Sequence, residues 1–225
     1  MNRTSQALGP VGDPTLRAQV GRRILEMVTG GHYLPGEKLV ETVLADQLQV
    51  SRAPLREAIR ELADQGILVN RPYRDLRVRP VSAKDLEELY SLRTALEQFA
   101  FRLAWPGRST EALRDLEERH NALIESHEAS DDPAATNERE LAFHSWVYEL
   151  TGHTLLLSHW RRLVPLVQIY MSLHYRTHGA HGEFRHMTTE YLRLAGGDSL
   201  DAMCEHIHAH MKQGLASVMA ALPEP

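Results

Sequence analysis

The sequence predicts a mainly α-helical protein in two parts: three helices with a short β-hairpin over residues 14–80, then an all-α bundle of six helices over residues 81–222. Three observations carry that expectation. Apolar residues recur at helical spacing through most of the 225 residues. Strand-like runs are confined to Ile67-Leu68-Val69 and Leu76-Arg77-Val78. The charge reverses at residue 80, with 12 Lys+Arg and 9 Asp+Glu before it and 13 and 21 after it. A total of −5 therefore averages a head of +3 and a remainder of −8, the asymmetry expected when a nucleic-acid-binding part is joined to another unit.

Residues 1–13, rich in Gly, Pro, Ser and Thr without periodicity, are expected to form a mobile tail. From Leu16, the positions Val20, Ile24, Leu25 and Val28 share one helical face, and Gly30-Gly31 ends the segment. After the turn at Pro35-Gly36, Val40, Val43, Leu44 and Leu48 mark a short second helix. Ser51 is placed as the N-cap of a third; because Pro54 lacks an amide hydrogen, the Ser51 hydroxyl is expected to cap Ala53. Leu55, Ala58, Ile59 and Leu62 then form an apolar stripe, with Arg52, Arg56 and Arg60 at steps of four on a polar side. Gly66 stops that helix before the hairpin. Beyond Pro80, six helical stretches are expected at about 82–104, 109–129, 133–151, 153–178, 183–195 and 198–220.

A single cysteine, Cys204, excludes an intramolecular disulfide and favours a reducing compartment. No apolar stretch suits a signal peptide or a membrane span, so a cytoplasmic protein with no membrane partner is expected.

A short helix, a tight turn and a second helix with basic residues outward is the helix-turn-helix arrangement, whose second helix enters the major groove. Arg52 and Arg56 offer paired donors to guanine or phosphate, and the hairpin would be a wing bringing Arg71, Arg74 and Arg77 to the adjacent backbone. Pro35-Gly36-Glu37-Lys38-Leu39-Val40-Glu41, Leu44-Ala45, the run from Val50 to Ile59, then Leu62 and Gly66 resemble the winged helix-turn-helix of the GntR family of bacterial transcription factors. The resemblance covers about residues 14–80 and implies DNA contacts from Ser51, Arg52, Ala53 and Arg56. Thr42 stands where many members carry an arginine, and the wing lacks the glycine usual near Tyr73 to Asp75.

Twelve of the 13 histidines lie after residue 80. Glu140 and His144, four apart, share a helix face and could share a metal ion. On the last helix, His208 borders Cys204 and Met211 while His210 borders Met203 and Ile207, so spacing alone lets either point inward. Arg93-Thr94-Ala95-Leu96-Glu97 and Phe143-His144 resemble the FCD effector domain, and six helices resemble its VanR-type subgroup rather than the FadR-type one. That resemblance implies a divalent metal held by Glu140, His144, His186 and, counting onward without a gap, His208; one inserted residue would make the last ligand His210. The family usually has the shorter Asp or Asn where Glu140 stands. Zinc is the first expectation, with nickel or another first-row ion suiting the same donors. The resemblance further implies a small carboxylate effector, with Arg93 lining its cavity, and a homodimeric repressor on an inverted-repeat operator of double-stranded DNA.

Two other readings remain at this point. A metal-dependent hydrolase would also use an open metal site, but no HExxH-like general-base motif accompanies these residues. The same regulator with a metal-free organic pocket is the other.

Overall fold

The computed structural model describes residues 15–70, 75–129, 133–178 and 184–222. The expected tail, and the wing residues Arg71 and Arg74, lie outside the described residues.

The head starts with α1 (Leu16–Thr29), capped by the Thr15 hydroxyl, which accepts the Ala18 amide at 3.3 Å. Its buried face is Val20, Ile24 and Val28. Gly36, at φ +81, turns the chain into a two-residue strand, β1 (Lys38–Leu39), that the hydrophobic pattern did not announce. Two residues carry no readable period; β1 exists because its backbone pairs with a strand nearly forty positions later. Then come α2 (Glu41–Leu48), α3 (Arg52–Asp64), β2 (Leu68–Asn70) and β3 (Leu76–Val78). The sheet is antiparallel in the order β1-β3-β2, with Leu39 opposite Leu76 and Leu68 opposite Val78. Leu55, Ala58, Ile59 and Leu62 of α3 are all buried, so the apolar stripe faces the core of the head and the arginine side faces out. Gln49, at φ 53, supplies the left-handed residue that ends α2 and lets α3 turn away.

Arg79 leaves the head and pairs with Asp85 at 3.3 Å. Asp85 also closes a reciprocal cap with Ser82, accepting the Ser82 amide at 3.0 Å and donating its own amide to the Ser82 hydroxyl at 3.1 Å, which fixes where the next helix starts. The bundle consists of α4 (Ala83–Ala104), a 3₁₀ turn at Trp105–Gly107, α5 (Thr110–Ala129), α6 (Pro133–Leu150), α7 (Thr154–His178), α8 (Phe184–Ala195) and α9 (Leu200–Ala220). Central to it is α6, whose described residues Asn137, Glu140, Leu141, Phe143, His144, Trp146, Val147 and Tyr148 are all buried. A helix buried around most of its circumference has polar groups that must find partners inside the protein, and that requirement builds the site described next.

Candidate metal centre and nucleic-acid interface

Ser51 occupies the N-cap of α3 in extended conformation, yet its hydroxyl makes no capping bond. The expected bond to Ala53 is therefore absent, and Ser51 stands exposed beside Arg52, Ala53 and Arg56 at the outward end of the helix. Arg56 Nε binds Glu41 Oε2 at 3.0 Å across the turn between α3 and α2. That contact uses Nε and does not engage the two terminal nitrogens, and the side chain is 63% exposed. Arg77 binds Asp75 at 3.0 Å and the Gly36 carbonyl at 2.8 Å, while Lys38 binds Asp75 at 2.6 Å. These two cations hold the Asp75 carboxyl below its ordinary range and staple the wing to β1.

Inside the bundle, α4 places Arg93 and Glu97 on its buried stripe. Glu97 Oε1 accepts from His144 Nδ1 at 2.8 Å and from the Tyr191 hydroxyl of α8 at 2.8 Å. Burial alone would raise the Glu97 carboxyl; the charge and hydrogen bond of His144, the charge of Arg93 and the Tyr191 hydroxyl outweigh it and hold it low. In a neutral ring with Nδ1 donating to Glu97, the other nitrogen of His144 would carry the lone pair that a metal ion needs. It faces His210 Nε2 of α9 at 3.2 Å. Glu140, one turn back on α6, completes a buried trio in which one ligand atom from each of Glu140, His144 and His210 lies within 4.8 Å of the others. Zinc–nitrogen bonds of roughly 2.0–2.1 Å in a tetrahedral shell place neighbouring donors about 3.4 Å apart. The residues present thus fit a divalent ion: one carboxylate, two imidazoles, and a carboxylate behind one imidazole to orient it.

Two expected ligands are corrected. His208 is exposed on the outer side of α9, where it lines a surface recess of about 490 Å³ with Gln98, Asp201, Cys204 and Glu205. The buried side of α9 is Met203, Cys204, Ile207, His210, Met211 and Val218, and two residues, about 200° of helix, separate His208 from His210. His186 is exposed as well: α8 turns Thr188, Tyr191 and Ala195 inward, and His186 precedes Thr188 by the same two steps. Tyr191 holds the inward place on α8, reaching the site through Glu97. Arg93 is buried, its guanidinium over the rings of Tyr90 at 5.3 Å and Trp160 at 5.8 Å. Arg93 Nε, Glu97 Oε2, Asn137 Oδ1 and the Tyr148 hydroxyl are buried without a hydrogen-bond partner among the described residues.

Residues 16–78 match the model of bacterial regulatory proteins of the gntR family, and residues 88–213 match the FCD domain. The chain belongs to the GntR family and carries an FCD domain. This regulator is 28% identical to the Nta operon transcriptional regulator of Aminobacter aminovorans, over 88% of its own length and 94% of the relative's. It is 25% identical to the gluconate operon transcriptional repressor of Bacillus licheniformis, over 85% and 82%. Its fold superposes on Escherichia coli McbR with a TM-score of 0.78 at 22% identity, covering 92% of this chain and 98% of that one. As a GntR-type DNA-binding transcriptional regulator it is not an enzyme, which removes the hydrolase reading. Among the described residues, no helix is long and apolar enough to cross a membrane.

Glu97 and Tyr191 escaped the sequence reading, although a signal existed: Arg93 and Glu97 interrupt an otherwise apolar stripe on α4. If Glu97 orients His144, Glu97→Gln keeps both accepted hydrogen bonds but removes the charge, and metal affinity is expected to fall roughly 10- to 100-fold. Competition against a chromophoric chelator measures it, with an unchanged melt of the metal-free protein as control.

In the GntR regulator's bundle, burial holds His210 well below the ordinary imidazole range and His206 below it, the latter against a hydrogen bond from its ring to the Met187 carbonyl at 2.9 Å. Such groups bind protons more readily when unfolded, so their contribution to stability is present above the unfolded value of 6.5 and is lost as pH falls below it. The chelated protein is expected to melt progressively lower from about pH 7 to 5.5; a flat melting temperature across that window would contradict this.

Proposed function

We propose that this regulator is a ligand-responsive repressor that reads an inverted-repeat operator as a cytoplasmic homodimer, and that its effector is a small organic acid bound at a metal site in the bundle. Residues 14–80 would read the DNA and residues 81–222 would bind effector and partner. The observation that carries the reading is the convergence of Glu140, His144 and His210 in a buried site, close enough to Arg93 for its charge to act on His210 and Glu97. Arg93 and a divalent ion together would outweigh the carboxylates of Glu97 and Glu140 and leave positive character for an anionic guest, and a carboxylate is the organic group that both a metal ion and a guanidinium bind well. The bound ion, zinc or another first-row metal, would supply open positions for the effector carboxylate. Arg93 orients that carboxylate, Glu97 and Tyr191 keep His144 in the ligating tautomer, and Glu140 balances charge.

On the head, Ser51, Arg52, Ala53 and Arg56 face the major groove, and Arg71 and Arg74 of the wing meet the flanking backbone. The effector acts by preferring one of two head arrangements, because a ligand shifts an equilibrium only through unequal affinity for its states. The gluconate operon repressor among its relatives supports the sign of regulation.

The test is selection of an operator from random duplexes by the full chain, followed by mobility shifts with a panel of carboxylic acids, metal-loaded and chelated. The expected result is one class of acid that weakens operator binding at least tenfold in the loaded protein only. Failure to select any duplex, or affinity indifferent to every acid, overturns the reading; an acid equally effective after chelation replaces the metal site with an organic pocket.

A further inference from the structure

Tyr148 is fully buried, its ring stacked on Trp160 with centroids 4.5 Å apart and planes 1° from parallel. Trp160 is itself pinned, its Nε1 donating to the Ser145 hydroxyl at 2.7 Å, and the Arg93 guanidinium lies over the same indole at 5.8 Å. Burial, then the nearby Glu97 charge, raises the Tyr148 hydroxyl well above its ordinary range, so it stays protonated and able to donate. Yet among the described residues the Tyr148 hydroxyl, Arg93 Nε and Glu97 Oε2 have no hydrogen-bond partner. Buried polar groups are paired as a rule, and three exceptions within one group of charges ask for a guest or ordered solvent. The group sets terms for that guest. Tyr148 and Arg93 need an acceptor, Glu97 needs a donor, and a carboxylate alone supplies only acceptors.

We infer that the effector is a 2-hydroxy monocarboxylate whose hydroxyl accepts from the Tyr148 hydroxyl and donates to Glu97 Oε2, with its carboxylate held by Arg93 and the ion. The inference rests on the small-acid effector proposed above and names its chemical class. Glu97 sets the place of the hydroxyl: its other oxygen accepts from His144 Nδ1 at 2.8 Å, so Oε2 lies beside a metal donor and meets the carbon next to the guest carboxylate. Charge sets the number of carboxylates. Arg93 and a divalent ion together exceed Glu97 and Glu140 by a single positive charge, which one carboxylate cancels and a second overshoots. A zwitterionic 2-amino acid leaves that charge standing and offers Tyr148 no acceptor. A 2-oxo acid accepts from Tyr148 but turns a lone pair toward Glu97, and an unsubstituted acid meets neither. Each therefore leaves buried polar atoms unpaired, the circumstance in which a site discriminates most sharply.

Isothermal titration calorimetry of the zinc-loaded full chain tests this, using sets of acids that share one skeleton of three to six carbons. Each set holds the parent acid, both 2-hydroxy enantiomers, and the 3-hydroxy, 2-oxo and 2-amino acids. In the best-fitting set, the better 2-hydroxy enantiomer is expected to bind at least tenfold more tightly than the parent, 3-hydroxy, 2-oxo and 2-amino members. Tyr148→Phe, which keeps the ring against Trp160, should bring that enantiomer to within about threefold of its parent acid, with metal content unchanged. A parent, 3-hydroxy or 2-oxo acid that binds as tightly as the 2-hydroxy acid overturns this class and leaves a metal-held acid standing. No binding by any member overturns the class as well, and together with operator affinity indifferent to every acid it overturns the small-acid reading. A Tyr148→Phe protein that keeps the full preference overturns the role of the hydroxyl; if that variant fails to fold, the ranking on wild type alone decides.

Discussion

A His210→Ala variant purified without a polyhistidine tag is expected to carry no stoichiometric metal, whereas His208→Ala should retain the wild-type content. The contrast tests whether position on α9 or count along the chain picks the ligand. His210 is buried with its Nε2 3.2 Å from His144 Nε2, and His208 is exposed on the other side of the helix. Structural zinc sites are worth roughly 10–16 kcal/mol in total, so losing one of three protein donors is expected to cost roughly 3–5 kcal/mol, a loss of about a hundred- to several-thousand-fold in affinity. His144→Ala should lose at least as much, because it also strands Glu97 in the core. Zinc or nickel should raise the melting temperature of wild type and His208→Ala by mass action and leave His210→Ala and His144→Ala unmoved. Elemental analysis with thermal shift reads all four proteins; metal retained in His210→Ala and lost in His208→Ala would reverse the assignment.

The second large effect is expected at Arg56. Glu41 holds its Nε and the side chain is 63% exposed, so the two terminal nitrogens remain to meet a base or phosphate. One bidentate contact is worth about 1–3 kcal/mol, and the proposed homodimer would make it twice, so Arg56→Ala should weaken operator binding by roughly 2–6 kcal/mol. Arg56→Lys should recover little, since a lysine keeps the charge but not the fork. Glu41→Gln should loosen discrimination among operator variants more than affinity, because it frees the guanidinium to swing. Arg60→Ala, one turn farther from the helix start, is the control and should lower the salt slope of binding by about one at most. Competition binding against operator variants at two salt concentrations separates these outcomes; equal losses at Arg56 and Arg60 would mean that α3 contributes charge alone.

Much of the architecture was legible in the residues. The bundle helices appear where apolar spacing and Gly or Pro breaks placed them, because a helix buries a stripe that its own sequence must supply. The head was legible for the same reason at α1, α2 and α3. β1 was not: Lys38-Leu39 becomes a strand only by pairing with Arg77-Leu76, and no local pattern encodes a distant partner.

The site divides along the same line. Glu140 and His144 could be paired from sequence, since four residues on one helix share a face wherever that helix packs. Which histidine of α9 joins them could not, because His208 and His210 both border its apolar stripe and the rotation of α9 against α4 and α6 sets which one turns in. The exclusion of His186 and the entry of Tyr191 likewise follow from how α8 rolls onto the bundle. By itself the sequence determined the two-part architecture, the reversal of charge between head and bundle, the outward arginines of α3 and the Glu140–His144 pair, all set by spacing within one segment. The tertiary structure decided the third donor, the carboxylate behind His144, the Glu41 contact to Arg56 and the placing of Tyr148 beside Arg93 and Glu97, because each depends on the relative rotation of elements far apart in the chain.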